Sequence, residues 1–233
     1  MAGARRVVGA DPRRLCGRAT VFAGGQGGGG VNAVVATVGG DAVFEGEVDA
    51  SEDRLRATRL AGALPRPGTS EGRQLRRWLV QVLVTARIVA AEAAAAGLTA
   101  HGAPTEEELL PDVSARLEIG SVAASALEDG VARAVFVHVT AGVAVTDREI
   151  VDYHARNPFR FGGRSVGADG WRGRPTEAVL DDVRGEIAGY LLASARRREF
   201  RRWLDVRRAE LVHLAPGFEH PGDPRQPDNS HKH

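Results

Sequence analysis

The chain has few of the residues that support redox or thiolate chemistry. Its one cysteine is Cys16. A single cysteine cannot form an internal disulfide, and it excludes a zinc site built on several thiolates. Aromatic residues make up 5% of the sequence, and the sole lysine is Lys232. The basic residues are therefore almost all arginine, which by itself indicates no particular chemistry.

The sequence also lacks a net charge of one sign. Its formal charge is +1 at pH 7, so no global field would recruit nucleic acid or an anionic membrane. Residues 196–208 are rich in arginine and contain Phe200 and Trp203, a combination that can stack on bases. Because the net charge is so small, this tract is interpreted as a solvated helix face with its aromatic residues in the core. We expect no nucleic-acid partner.

Long uninterrupted apolar runs are absent. The longest apolar stretch, residues 82–96, contains Thr85, Arg87 and Glu92 and falls short of a transmembrane span. The early arginines are not followed by the apolar segment of a signal peptide. Apolar residues make up 43% and charged residues 26% of the chain, as in soluble globular proteins. These features predict a cytoplasmic protein without membrane contact.

Residues 1–30 are rich in glycine and arginine and show no periodicity. Such a segment cannot bury enough apolar surface to offset the entropy lost on ordering. We therefore expect a disordered or non-native leader, with translation starting at Val31. Gly25, Gly27 and Gly30 match G-x-G-x-x-G, but the residues after them predict a strand where a dinucleotide site requires a helix. We expect no cofactor.

The rest of the chain predicts a mainly α fold with a small N-terminal β-hairpin. Apolar residues at 33–38 and 42–44 flank Gly39-Gly40, which suits a two-residue hairpin turn. Segment 131–140 also fits a strand, but its helical surroundings favour a helix. Apolar residues spaced three and four positions apart predict further helices. These segments are 45–64, 73–96, 114–128 and 176–212.

A short helix with strong end signals begins at Thr146. Thr146 and Glu149 form a capping box, in which the hydroxyl and the carboxylate each bind a backbone N–H of the first turn. Asn157-Pro158 ends the helix, because the residue before a proline is pushed out of the α region. Phe159 and Phe161 follow directly.

Four segments, taken in order, resemble SurA/PrsA-type foldases, bacterial chaperones that carry a parvulin prolyl isomerase domain. Residues 33–43 are similar to the family's V-A-x-V-N-G-x-x-I opening, and 73–98 to its first long helix. Residues 145–161 are similar to its V-T-D-E-E-I-x-x-Y-Y-x-x-N-x-x-x-F linker, and 177–212 to its returning helix. The resemblance covers residues 31–214. It implies a SurA-N-like helical chaperone core, closed by the long C-terminal helix.

One domain of that family has no counterpart in this chain. In the family, the isomerase domain lies between the linker and the returning helix, whereas this chain has a glycine-rich loop at 162–174. A loop of that length cannot contain a catalytic domain. The resemblance therefore implies a chaperone core without prolyl isomerase activity, and we expect no catalytic residues. Residues 215–233 are predicted to form a flexible tail rich in histidine and proline.

Two motifs leave other functions open. Residues 68–72 match G-x-S-x-G, the nucleophile elbow of acyl-transferring hydrolases, which requires Ser70 on a turn directly after a buried strand. A proline-rich loop precedes Ser70 instead, so a helix N-cap at Ser70 is favoured. His220, His231 and His233 are weak candidates for metal ligands in the tail. These two motifs leave an acyltransferase and a metal-handling protein as alternatives. The resemblance leaves a third, an isomerase-related accessory protein of a biosynthetic pathway.

The function that the sequence favours is non-catalytic binding of polypeptide. The partner would be an unfolded or extended polypeptide, or a dedicated protein whose assembly is assisted. It would lie in an apolar cleft between helices, held by apolar and β-type contacts. The candidate contacts are apolar side chains expected to be spare on the helix faces and loops: Trp78, Phe136, Phe159, Phe161 and Trp171.

Overall fold

The computed structural model describes residues 33–162, 164–166 and 172–221. Within these ranges the chain is mainly helical, with an antiparallel strand pair at its start and a long helix towards its end. The predicted fold class is confirmed at this level. The predicted leader at residues 1–30 lies outside the described residues.

The described part of the chain contains eight α-helices and five short strands. The strands are β1 (Val34–Val38), β2 (Asp41–Phe44), β3 (Arg164–Val166), β4 (Arg172–Pro175) and β5 (Val212–Leu214). The first four helices are α1 (Glu45–Arg56), α2 (Ser70–Ala96), α3 (Glu106–Leu109) and α4 (Val113–Ile119). The others are α5 (Ser121–Ala126), α6 (Gly130–Val139), α7 (Asp147–Arg156) and α8 (Leu180–Leu211).

The hairpin lies in a three-stranded sheet that joins the two ends of the domain. β1 is the central strand and pairs antiparallel with both β2 and β5. The predicted turn at Gly39-Gly40 is confirmed, and both glycines have positive φ, of 60° and 100°. Val35 and Val43 are buried against the helices. The chain therefore returns to its first strand directly after α8.

The main hydrophobic core surrounds α2. Val80, Val84 and Ile88 are almost completely buried, and α2 contacts α5, α6 and α8 around them. Phe200 of α8 lies in this core, with its ring centroid 5.1 Å from that of Phe136. By length and composition α2 could cross a membrane, with a mean hydropathy of 1.6 and 44% of that window buried. Here its apolar face is packed inside the domain.

A second, smaller cluster lies where α7 packs on the N-terminal half of α8. Ile150, Val183 and Ile187 are its buried residues. Around them Tyr153, Phe161 and Tyr190 form a group of rings with centroids 5.5 to 6.4 Å apart. α8 is therefore shared between two hydrophobic clusters, one at each end.

The interval predicted as a glycine-rich loop, 162–174, is in part a two-stranded ribbon. β3 and β4 pair antiparallel within it. Gly162 lies against the returning chain, and a Cβ at that position would be 1.7 Å from the carbonyl oxygen of Thr176. The N–H of Ala178 donates to the carbonyl of Pro158 over 3.1 Å. The chain thus closes on itself between α7 and α8.

Several helix boundaries differ from those predicted; the helix predicted at 176–212 begins at Leu180, and the one predicted at 73–96 begins at Ser70. The helix predicted at 45–64 ends at Arg56, and a 3₁₀ turn follows. The helix predicted at 114–128 is split at Gly120, which has φ 87° and ψ 152°. The N-cap of α2 is Thr69 rather than Ser70, because the Thr69 hydroxyl accepts the bond from the N–H of Gly72 over 3.1 Å.

Residues 215–221, the described part of the predicted flexible tail, pack against α2. Arg77 Nε donates to the carbonyl of Gly217 over 2.9 Å, and Gln81 Nε2 donates to the carbonyl of Phe218 over 3.4 Å. Phe218 is partly buried against the main core. Residues 215–221 therefore belong to the folded domain, while residues 222–233 lie outside the described ranges.

Candidate functional site

The N-terminal half of α8 carries a face of small residues. Gly185, Gly189 and Ala193 follow one another at intervals of four and therefore lie on one side of the helix. Gly185 and Gly189 are exposed, and a Cβ at either position would meet no atom within 4 Å. This side of α8 is therefore open.

The largest of three adjoining depressions, of about 560 Å³, lies beside this face. Its walls come from α8, α6 and the segment that leads into α3. The Thr105–Glu108 capping box fixes that segment, with the Thr105 N–H donating to the Glu108 carboxylate over 2.7 Å. The lining residues are Gly102, Ala103, Pro104, Glu108, Leu109, Phe136, Val137, Gly189, Leu192, Ala193, Arg196 and Arg197.

Two further depressions adjoin the first. One, of about 420 Å³, shares the wall formed by Ala193 and Arg197, and is closed by α4, Arg160 and Tyr190. The other, of about 340 Å³, shares residues 102–104 and Val137 with the first. The three depressions therefore form a row, and we refer to them together as the α8 groove.

The groove wall is held in place by Arg197, a buried charged residue. Its side chain is 6% exposed, and its Nε donates to Glu118 of α4 over 2.7 Å. Ser194 also donates to Glu118. Burial raises the pKa of Glu118, but the bonds from Ser194 and Arg197 outweigh this and hold the pKa below its usual value of 4.5. Glu118 therefore stays ionised and anchors α8 to α4.

Arg160 and Tyr190 form the end of the groove that lies beside the second cluster. The guanidinium carbon of Arg160 lies 4.2 Å from the centroid of the Tyr190 ring. Such a cation–π contact holds the side chain over the ring face. This end of the groove therefore carries a positive charge next to an aromatic surface.

Arg196 differs from the other arginines of the groove. It lines the largest depression, and in the described parts of the chain its side chain has no hydrogen bond or ion pair. Its Nε is buried without a partner. A guanidinium with unused donors suits the carbonyl or carboxylate oxygens of a ligand.

Trp78 and Phe136 lie in different environments, and only Phe136 borders the groove. Trp78 lines a separate depression of about 450 Å³, and its Nε1 donates to Ser121 Oγ over 3.2 Å. Phe136 lines the groove but is 2% exposed, because its ring packs on Phe200. The expectation that Phe136 is a spare apolar side chain is therefore wrong.

Among the other predicted contacts, Phe159 and Phe161 do not line the groove. Phe159 is 55% exposed, whereas Phe161 packs with Tyr153 and Tyr190 in the second cluster. Trp171 lies outside the described residues. The sequence reasoning missed Tyr190, Leu192, Ala193 and Arg196. The four-residue spacing of Gly185, Gly189 and Ala193 is the signal in the sequence that could have indicated an open face.

Ser70 does not have the surroundings of a nucleophile elbow. It is the first residue of α2, and the residues before it form a turn rather than a strand. The pKa of Glu71 is lowered by its own backbone N–H and then by bonds from the Ser70 and Thr69 hydroxyls. The Ser70 hydroxyl is thus directed to the capping region of the helix.

The described residues contain no group of three or more histidine, cysteine, aspartate or glutamate side chains that could hold a metal ion. His220 lies in the packed segment that ends at Pro221 and lines two depressions near the start of α5. His231 and His233 lie outside the described residues.

The comparisons with known proteins concern the start of the domain. A family model with the description "Family of unknown function (DUF7158)" matches residues 34–71. These residues include β1, β2, α1 and the first residues of α2, and they leave the α8 groove outside the match. No curated protein and no solved structure matches this chain.

Proposed function

We propose that this protein is a non-catalytic, chaperone-like protein that binds an extended polypeptide in the α8 groove. The observation that carries the proposal is the row of three depressions joined by shared walls. An extended polypeptide advances about 3.3 Å per residue. A row of depressions is therefore better suited to several consecutive residues of a polypeptide than to one compact ligand.

The chemistry of the groove walls supports a polypeptide. Leu109, Val137 and Leu192 offer apolar surface for side chains, and Val137 is 44% exposed. Arg196 offers unused donors for a backbone carbonyl or an acidic side chain. Apolar contact combined with hydrogen bonds to the main chain is how extended peptides are commonly recognised.

The resemblance to SurA/PrsA-type foldases supports the same proposal. In those proteins a helical core of this kind accompanies an isomerase domain, and here residues 157–179 connect α7 to α8, too short a segment to contain one. The protein would therefore hold a polypeptide, or assist the assembly of a dedicated partner, without isomerising it. A cytoplasmic location and the absence of membrane and nucleic-acid partners belong to this proposal.

The test fills the groove without disturbing either core. Gly189→Trp places a large side chain in the largest depression, because Gly189 lines it and faces open space. Binding is measured by fluorescence anisotropy with a permanently unfolded, labelled polypeptide. We expect saturable binding by the native protein and a loss of affinity of at least about tenfold in Gly189→Trp.

Gly185→Trp is the matched control. Gly185 lies one helical turn away on the same helix, is equally open, and does not line the α8 groove. Its variant is expected to bind as the native protein does. Equal losses in the two variants, or no binding by the native protein, would contradict the proposal.

A further inference from the structure

A separate cavity of about 290 Å³ lies between the start of α5 and the C-terminal half of α8. We call it the α5–α8 cavity. Its volume lies just below the range of about 300 to 1,000 Å³ that is typical of pockets for drug-sized ligands, so it suits a smaller ligand. The lining residues are Ile119, Gly120, Ser121, Val122, Ala123, Arg201, Leu204, Asp205, Arg208 and His220.

The charge of this cavity is unbalanced. Arg201 and Arg208 line it, whereas Asp205 is the single carboxylate among the lining residues. Arg208 is half-buried and donates to Thr85 Oγ1 over 3.2 Å and to Gln81 Oε1, which are both neutral. Burial lowers the pKa of Arg208, against a smaller opposing effect of Asp205. The half-buried guanidinium thus lacks a full counter-charge.

Arg201 also keeps its donors available. In the described parts of the chain it has no hydrogen bond or ion pair with another residue, and it is exposed at the cavity. Its neighbour Arg202 is bonded to Glu199 instead. Arg207, about one and a half turns further along, is paired with Glu92 over 2.8 Å. Of these three arginines, Arg201 is therefore the one left for a ligand.

The protein holds Arg208 in place before any ligand arrives. Thr85 Oγ1 donates to the carbonyl of Gln81 over 2.8 Å, and Gln81 Nε2 donates to the carbonyl of Phe218. These buried residues fix the orientation of the two oxygens that receive the bonds from Arg208. Two of its five N–H donors are used in this way. A preorganised guanidinium loses little entropy when an anion binds.

We propose that the α5–α8 cavity binds a small oxyanion, the carboxylate or phosphate group of a low-molecular-weight ligand, between Arg201 and Arg208. Guanidinium groups match both oxyanions in geometry and charge. Ser121 adds a hydroxyl at the cavity wall; its oxygen accepts from Trp78 Nε1, which leaves the hydroxyl hydrogen as a donor. The proposal does not depend on polypeptide binding in the α8 groove.

The test uses the full chain with inorganic phosphate and succinate as separate probes. Each is titrated by isothermal calorimetry at constant ionic strength, with sodium chloride as the reference salt. We expect saturable binding of at least one probe. Arg201→Gln should weaken it by about tenfold, as expected when a charged bond of about 1.4 kcal/mol is lost. Binding of phosphate alone or of succinate alone identifies the oxyanion.

Arg202→Gln is the matched control, because Arg202 is adjacent, exposed and paired with Glu199. It should leave the affinity unchanged, and Gly189→Trp should leave it unchanged as well. The proposal is overturned if neither probe binds saturably, or if Arg201→Gln and Arg202→Gln reduce the affinity equally. The latter result would indicate a general effect of surface charge.

Discussion

At the scale of single residues, Arg196 and Arg197 are neighbours with different environments. Both line the α8 groove, but a step of one residue turns the helix by about 100°, which directs the Arg197 side chain towards α4. Arg197 donates to Glu118 and is 5% exposed, whereas Arg196 has no such partner among the described residues. The location of the acidic residue on the facing helix decides which arginine is structural.

Glu118 makes the stability of the α4–α8 interface dependent on pH. Its pKa is lowered in the folded protein, so its contribution is complete above the unfolded pKa and is lost as the pH falls through the folded pKa. Glu118→Gln should lower the free energy of unfolding by about 1 to 3 kcal/mol at pH 7. The difference from the native protein should shrink below the usual pKa of 4.5. Urea unfolding of both proteins at a series of pH values measures this difference in the free energy of unfolding.

Glu199→Gln provides the comparison for that series. Glu199 pairs with Arg202, whose side chain is 72% exposed, and an exposed pair contributes less than about 1 kcal/mol. The prediction is contradicted if the free energy of unfolding of Glu118→Gln stays the same amount below that of the native protein as the pH is lowered through 4.5. The ionised form of Glu118 would then not stabilise the interface.

At the scale of elements, the break between α4 and α5 depends on one glycine. Gly120 has φ 87° and ψ 152°, a region that is populated almost solely by glycine. This conformation lets α5 turn away from α4 and run beside α2, which it contacts. The apolar spacing continues through Gly120 and therefore predicts one helix over 114–128. The change of direction at Gly120 is caused by tertiary packing, which the spacing does not encode.

Replacing that glycine should destabilise the domain. Gly120→Ala forces a side chain into a backbone conformation that costs about 1 to 3 kcal/mol for a residue other than glycine. The free energy of unfolding should fall by that amount, measured by urea denaturation. Gly185→Ala on α8 should have the opposite sign and stabilise by about 0.5 to 1 kcal/mol. If Gly120→Ala leaves the free energy of unfolding unchanged, the break between α4 and α5 does not require glycine at position 120.

The elements that the sequence predicted well are those with local signals. The capping box of Thr146 and Glu149 is present, with a hydroxyl-to-carboxylate distance of 2.7 Å, because both partners lie in one helical turn. The Gly39-Gly40 turn is equally local. The α8 groove could not be predicted in this way, since its walls come from residues as far apart as Gly102 and Arg197. Its shape depends on how the helices pack.

At the scale of the whole molecule, the segment after β5 contributes to the main domain. A chain ending at Leu214 would lose the carbonyls of Gly217 and Phe218 that receive bonds from Arg77 and Gln81. Both side chains are at least 95% buried, so Arg77 Nε and Gln81 Nε2 would lose these two hydrogen bonds out of reach of bulk water. We expect the free energy of unfolding to fall by about 2 kcal/mol or more.

The matched control for this truncation ends at Pro221. It keeps both carbonyls and the partly buried Phe218, and it should unfold at a higher urea concentration than the chain that ends at Leu214. Equal stability of the two truncated chains would contradict the structural role of residues 215–221.

The pairing of β5 with β1 has a consequence for biosynthesis. β1 emerges from the ribosome early, but its second neighbour is made only after the whole of α8. Until then one edge of β1 carries unpaired N–H and C=O groups, and such an edge can recruit strands from other chains. Contacts between residues so distant in sequence also slow folding. The nascent chain therefore completes its sheet last, and a chain arrested within α8 would carry an open edge that favours aggregation.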